Sequence, residues 1–386
     1  MKPVKLTENI YWVGVVDWRL RNFHGYMTQR GSSYNAYLII DEKITLIDTV
    51  KAPFCDEMLT KISAVIDPSK IDYIISNHAE MDHSGAIPEL AKRIPNVEII
   101  ASANGEKALK EHFKENFKIK SVKAGDKLNT GKYTFTFVPE PMVHWPDSMV
   151  TYLEEERILF SNDAFGQHIA TSERFDYEYS LEIIMEEARK YYANIVLPYS
   201  QQVQRALKDL SGLKIDIIAT SHGIIWRQHV SKIMAEYQKW SSNEYKKKAL
   251  VIYDTMWHST EKMAETIASA FSEKGYNYRL MSLQDNHISD IMTEILEAEY
   301  ICVGSPTLNN NMLPTVAAFL TYLKGLAPKE RKAMAFGSYG WGGQSVKQVH
   351  EALESCGFTM LEPVSFKYIP DEEFLKTLRE KVLAAI

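Results

Sequence analysis

Apolar and polar positions follow two different rhythms along the chain. Up to about residue 220 they give short strands in close groups, with helices between them. Residues 34–40 and 44–48 flank the turn Asp41-Glu42-Lys43, and residues 133–139, 149–153 and 157–161 form a second strand cluster. Helical spacing over 57–65 and 105–112 alternates with apolar strands at 71–76 and 97–101. Mixed sheets with helices outside predict an α+β sandwich. The apolar run 10–16 reads as a strand; it follows Glu8, is ended by Asp17 and Arg19, and lacks a cleavage site.

From about residue 248 the rhythm is regular. Strands at 249–253, 278–282, 300–304, 332–336 and 359–364 each precede a helix, at 259–273, 288–297, 314–323, 344–354 and 372–383. Five such units in succession predict an α/β, doubly wound parallel sheet. Ser241-Ser242-Asn243, ahead of a lysine run, is the expected joint, giving domains 1–246 and 247–386.

Composition narrows the chemistry. With 44 Lys plus Arg against 50 Asp plus Glu, the net charge is 44 − 50 = −6, and no basic tail or face is visible. A nucleic-acid partner is therefore not expected. No segment reaches the roughly 18 apolar residues of a membrane span. Cys55, Cys302 and Cys356 are isolated from one another, so thiolate metal sites and a disulfide framework are excluded, and a cytoplasmic location is expected. Any bound metal must be held by histidine and carboxylate.

Such residues are dense after the strand at 71–76. His78, Glu80, Asp82 and His83 fall within six positions. Alternate side chains leaving a strand point the same way, so His78 and Glu80 can face one ion while Asp82 and His83 face a second. His144, Asp163 and His222 each follow a strand, where α/β sites gather their chemistry. Three carboxylates beside four histidines suit iron or manganese better than zinc.

These motifs resemble the metallo-β-lactamase fold, an αββα sandwich, and specifically its flavodiiron branch, in which Glu80 stands where hydrolases carry a second His. The resemblance implies that His78, Glu80 and His144 hold one iron and Asp82, His83 and His222 the other, with Asp163 bridging. It singles out His83 as a ligand that some members do not use. It also matches residues 21–26 to a segment over the substrate pocket, where His24 and Tyr26 could donate a proton or hydrogen bond. Tyr192 is a further candidate there, and His168 is expected nearby or at the surface.

A second site follows the strand at 249–253. Thr255, Met256, Trp257, His258, Ser259 and Thr260 form a hydroxyl-rich loop running into a helix. Such a loop cradles an anion without the lysine of a triphosphate loop, which suits the phosphate of flavin mononucleotide (FMN). Ser305, Pro306, Thr307, Leu308 and Asn309 follow the third strand of this half, and Ser338, Tyr339, Gly340, Trp341 and Gly342 follow the fourth. Both loops fall on the same edge, where Trp341 or Tyr339 could stack on a flavin ring. This half resembles a flavodoxin, and the domain order is that of flavodiiron proteins across nearly the whole chain.

The resemblance implies FMN and two non-haem iron ions, with electrons passing from flavin to iron, and dioxygen or nitric oxide as substrate. It implies a head-to-tail homodimer and a separate electron donor: a rubredoxin, another flavoprotein or a reduced deazaflavin. A fused rubredoxin domain is not expected, because its cysteines are missing. The alternatives are a zinc-dependent hydrolase with an attached flavodoxin-like domain, and a redox carrier whose metal site is vestigial.

Overall fold

The computed structural model describes residues 2–386, which divide into two compact units. The first comprises residues 2–24, Thr28–Tyr192 and Gln201–Gln238. It holds a seven-stranded sheet in the order Val4–Thr7, Ile10–Trp12, Tyr37–Ile39, Ile44–Ile47, Ile71–Ile75, Glu98–Ser102, Ile119–Val122. The first four strands are antiparallel and the rest run parallel. A five-stranded sheet runs Lys127–Asn129, Thr134–Pro139, Met149–Leu153, Ile158–Asn162, Ile217–Thr220.

The strand period explains the layering. Leu38, Leu46, Ile74 and Ile99 pack against the helices Cys55–Ser63, Ile87–Arg93 and Ala103–Phe113. Their chain neighbours Ile39, Ile47, Ile75 and Ile100 turn the other way and meet Phe135, Phe137, Leu153 and Phe160 of the second sheet. Both faces of the larger sheet are thus buried, which is why its strands read as continuous apolar runs.

Two expected strands are each broken in two. The run 10–16 becomes Ile10–Trp12 and Val15–Asp17, and 34–40 becomes Ser32–Tyr34 and Tyr37–Ile39. The breaks face each other. A Cβ at Gly14 would collide with the carbonyl of Tyr34, so the backbones meet there at a distance only glycine allows. Asn35 leaves the ladder: it accepts from the Trp12 indole at 2.8 Å and donates to the carbonyls of Thr220 and Gly223. These bonds tie that break to the loop carrying His222.

The second unit gathers Gly25–Met27, Ala193–Ser200 and Lys239–Ile386. Its sheet is wholly parallel, ordered Asn277–Ser282, Lys246–Tyr253, Ala298–Gly304, Lys332–Tyr339, with Thr359–Met360 and Val364–Lys367 both pairing the last of these. Strand order reverses at Lys246–Tyr253, the switch point where doubly wound sheets bind ligands. The expected single strand 359–364 is therefore two short pieces. The strand expected to stop at 336 runs on to Tyr339, so Ser338 and Tyr339 lie on a strand and not in a loop. Among the described residues, no helix is long and apolar enough to cross a membrane.

Candidate metal centre and cofactor cavity

The strand Ile71–Ile75 ends at a buried loop that delivers His78 and Glu80, and the short helix Met81–Ser84 then presents Asp82 and His83. His144 comes from the turn after Thr134–Pro139, Asp163 from the end of Ile158–Asn162, and His222 from the loop after Ile217–Thr220. The seven side chains form two groups, each compact enough to surround one ion: His78, Glu80, His144 and Asp163, then Asp82, His83 and His222.

Asp163 faces both. Its Oδ2 lies 3.3 Å from His144 Nε2 and 3.7 Å from His78 Nε2, while its Oδ1 lies 3.1 Å from His83 Nε2 and 3.3 Å from His222 Nε2. Within the groups, Glu80 Oε2 is 3.4 Å from His78 and 3.3 Å from His144, and Asp82 Oδ2 is 3.3 Å from His222.

Charge holds this arrangement together. Burial alone would lift the Glu80 carboxyl, but the imidazoles of His144 and His78 that face it outweigh this and hold it below the usual range. Burial likewise opposes charge on His222, yet Asp163 and Asp82 push it up to about 10, and Asp163 with Glu80 push His144 up to about 9. The imidazoles therefore supply the positive charge that the buried carboxylates need. A cation at each group would replace those protons and release them. His78 Nε2, His83 Nε2, both Asp82 oxygens and Asp163 Oδ2 are buried without a hydrogen-bond partner, a costly state that bound ions would relieve. The donor set thus fits two hard metal ions.

Around the ligands stand residues that sequence reasoning missed. Asp147 Oδ2 accepts from His78 Nδ1 at 3.0 Å, and the Ser33 carbonyl accepts from His222 Nδ1 at 2.8 Å. Trp145 lies edge-on to His78, its ring centroid 5.0 Å away. Tyr191, not Tyr192, reaches the centre; its hydroxyl donates to Asp163 Oδ1 at 2.9 Å. Tyr192 turns away and packs edge-on against Tyr237, because neighbours on a helix point about 100° apart. Asp147, two residues after the histidine-tryptophan pair, was a legible signal; the others come from folding alone.

His24 Nε2 lies 3.2 Å from Glu80 Oε1 with its side chain 75% exposed, on a left-handed backbone turn. Tyr26 is buried and belongs to the second unit. His168 is not at the surface: it is buried, 2.7 Å from the Ser32 hydroxyl, with its ring 4.8 Å from that of His222.

In the second unit a cavity of about 750 Å³ opens at the ends of the parallel strands. Met256, Trp257, Ser259, Pro306, Thr307, Asn309, Ser338, Tyr339, Gly340, Trp341 and Gly342 line it, joined by Asn310, Tyr368 and Ile369, which the sequence reading overlooked. Five expected residues do not line it. Ser305 accepts from the Leu313 amide, and Thr260 meets the Ser338 hydroxyl at 3.0 Å. His258 turns toward Glu261, and Leu308 pairs with Asn311 through the backbone. Thr255 keeps its hydroxyl buried beside the start of the helix Ser259–Glu273, without a partner. An unfilled hydroxyl at a helix N-terminus and exposed indoles at Trp257 and Trp341 suit a phosphate joined to a flat ring.

Comparisons with known proteins cover both units. Residues 33–223 match the model described as "ODP family beta lactamase", and residues 251–381 match "Flavodoxin". The chain is 44% identical to a nitric oxide reductase of Moorella thermoacetica, over 98% of this chain and 97% of that one. It superposes on the structure of rubredoxin oxygen:oxidoreductase from Desulfovibrio gigas with a TM-score of 0.97, at 42% identity and 99% and 97% coverage. The flavodiiron protein from Giardia intestinalis matches with the same TM-score at 36% identity, covering 100% of this chain and 96% of that one.

Proposed function

The chain belongs to the flavodiiron proteins, and on that premise we propose how its residues serve the reduction of dioxygen, nitric oxide or both. The enzyme is an oxidoreductase using FMN and a non-haem diiron site. His78, Glu80 and His144 would hold one iron and Asp82, His83 and His222 the other, with Asp163 facing both. The observation that carries this assignment is Asp163, with one oxygen turned to each group. Residues 1–246 serve the iron pair, and residues 247–386 serve FMN through the loops at 255–260, 305–309 and 338–342.

When bound, these cofactors supply the electrons: four, with four protons, convert dioxygen to two waters, and two, with two protons, convert two nitric oxides to nitrous oxide and water. The chain's own work is placement and proton supply. Asp147 and the Ser33 carbonyl keep the Nδ1 protons of His78 and His222 outward, leaving each Nε2 free to bind metal. His24, solvent-exposed and hydrogen-bonded to Glu80, can carry protons from water to the rim of the centre. Tyr26 is retained as a second donor because segment 21–26 resembles the family's pocket segment.

A separate redox partner delivers electrons; a rubredoxin, a flavoprotein or a reduced deazaflavin would serve. We infer a head-to-tail homodimer in which the FMN of one subunit serves the iron pair of the other, supported by the family resemblance. A strictly monomeric, fully active protein in light scattering would refute that assembly. The zinc hydrolase reading is not favoured, since Glu80 adds a hard anionic ligand and the matching relatives are oxidoreductases. The decisive experiment loads the protein with ferrous iron and FMN, reduces it anaerobically, and follows oxygen and nitric oxide consumption in parallel. Turnover of either supports the reading; stoichiometric zinc with hydrolytic turnover overturns it.

A further inference from the structure

The two iron positions have matched donors: two imidazoles and one carboxylate each, plus a shared Asp163. What surrounds those donors is not matched. In the His78 group, the Asp147 carboxylate takes the Nδ1 proton of His78 at 3.0 Å. Asp147 is itself 3% exposed and fixed twice more, by the Ala79 amide at 2.7 Å and, through its carbonyl, by the Ser102 hydroxyl at 2.8 Å. Glu80 in the same group is held by His24. In the His222 group, the outer acceptor is an uncharged carbonyl, that of Ser33. His83 Nδ1 has no hydrogen-bond partner, and the Asp82 oxygens face only the imidazoles of His83 and His222 within the group. Asp48, on which the charge of His83 acts, is taken up by the Asn77 amide at 2.7 Å and by the side chains of Asn77 and Asn162.

We propose that Asp147 is a positioning residue that makes the His78–Glu80–His144 position bind iron more tightly than the Asp82–His83–His222 position. An anionic acceptor behind an imidazole fixes its ring and raises its basicity more than a carbonyl does, and loss of such a partner commonly costs 10–100-fold in metal affinity. Ligands already held in place also lose less freedom on binding. The inference rests on the ligand assignment above.

The test begins with metal-free protein that retains FMN, given one equivalent of ferrous iron without oxygen and crystallised. Anomalous scattering at the iron edge should show the His78 position occupied at least about threefold more than the other, as a ~10-fold affinity ratio requires. Equal occupancy, or the reverse order, overturns the inference while leaving the ligand assignment intact; iron at neither position overturns both. In Asp147→Asn, a 10–100-fold loss at the His78 position should abolish or reverse that preference, leaving it no more occupied than the other position after one equivalent, with Asp147→Glu recovering part of the preference. An undiminished preference in Asp147→Asn also overturns it. Should Asp147→Asn not fold, the wild-type occupancies decide.

Discussion

The hydroxyl of Tyr191 donates to Asp163 Oδ1 across 2.9 Å in a fully buried setting. The same oxygen faces His83 and His222 and lies 3.3 Å from the Ser221 hydroxyl. Removing that hydroxyl leaves a buried carboxylate oxygen short of one donor. Hydrogen bonds to charged groups contribute about 1.5–3 kcal/mol. Tyr191→Phe should therefore lower the stability of the first unit by about that much in denaturant unfolding, whereas Tyr192→Phe should not disturb Asp163. Equal effects would show that the hydrogen bond to Asp163 carries no special weight.

Glu80 supplies the oxygen that separates this centre from a histidine-rich zinc site. Glu80→His leaves each position with donors of similar reach but removes one negative charge from the His78 group. Iron retention should fall by an order of magnitude or more relative to zinc, measured by elemental analysis after loading from an equimolar mixture. Undiminished iron content with full oxygen reduction would count against Glu80 as a ligand.

How far the sequence disclosed this site depends on the kind of residue. The seven clustered side chains were legible because each leaves a strand end, and strand ends follow from the apolar period alone. Tyr191 was missed by one position, since helix phase near an irregular turn decides which of two adjacent tyrosines points inward, and the chain departs from regular helix at Tyr192–Val196. Ser33 was invisible for another reason: it acts through a carbonyl, which every residue has. The breaks at Gly14 and Asn35 likewise arise from contact between distant segments. In the second unit the parallel rhythm pointed to three stretches that each contribute to the cavity, but a fourth, Tyr368 and Ile369, enters it only because Val364–Lys367 pairs in parallel with Lys332–Tyr339.

Glu140 is buried, with its Oε1 unpartnered, and burial, helped by the charge of Asp209, pushes its carboxyl up to about 8. Below its ordinary value of 4.5 the acid is protonated whether folded or not, and its contribution to stability is fully present. Between there and about 8 the unfolded chain gives up a proton that the folded chain keeps, so stability falls as pH rises, and above about 8 the loss is complete. Each tenfold change in proton affinity is worth about 1.4 kcal/mol. Glu140→Gln removes the ionisable group. The variant should match the parent near pH 4.5 and exceed it by on the order of 5 kcal/mol at pH 8.5, read from unfolding curves at both pH values. A pH-independent difference would show that Glu140 ionises normally in the folded protein.

Gly337 lies in the strand Lys332–Tyr339, just ahead of the residues that line the cavity. A Cβ there would collide with the carbonyl oxygen of Ser305 and press on a methyl of Val346. Neither the strand backbone nor the Ser305 loop can yield without moving Pro306 and Thr307, which line one side of the cavity, or Ser338 and Tyr339, which line another. Overpacking of this kind typically costs 1–3 kcal/mol. Gly337→Ala should accordingly weaken FMN retention at least about fivefold, seen as released flavin fluorescence on dilution, since 1.4 kcal/mol is a factor of ten. Iron content of the first unit should stay unchanged, because the altered backbone belongs to the second unit alone. Parallel loss of iron and flavin would instead indicate general unfolding, and full FMN retention would mean that the two loops tolerate separation.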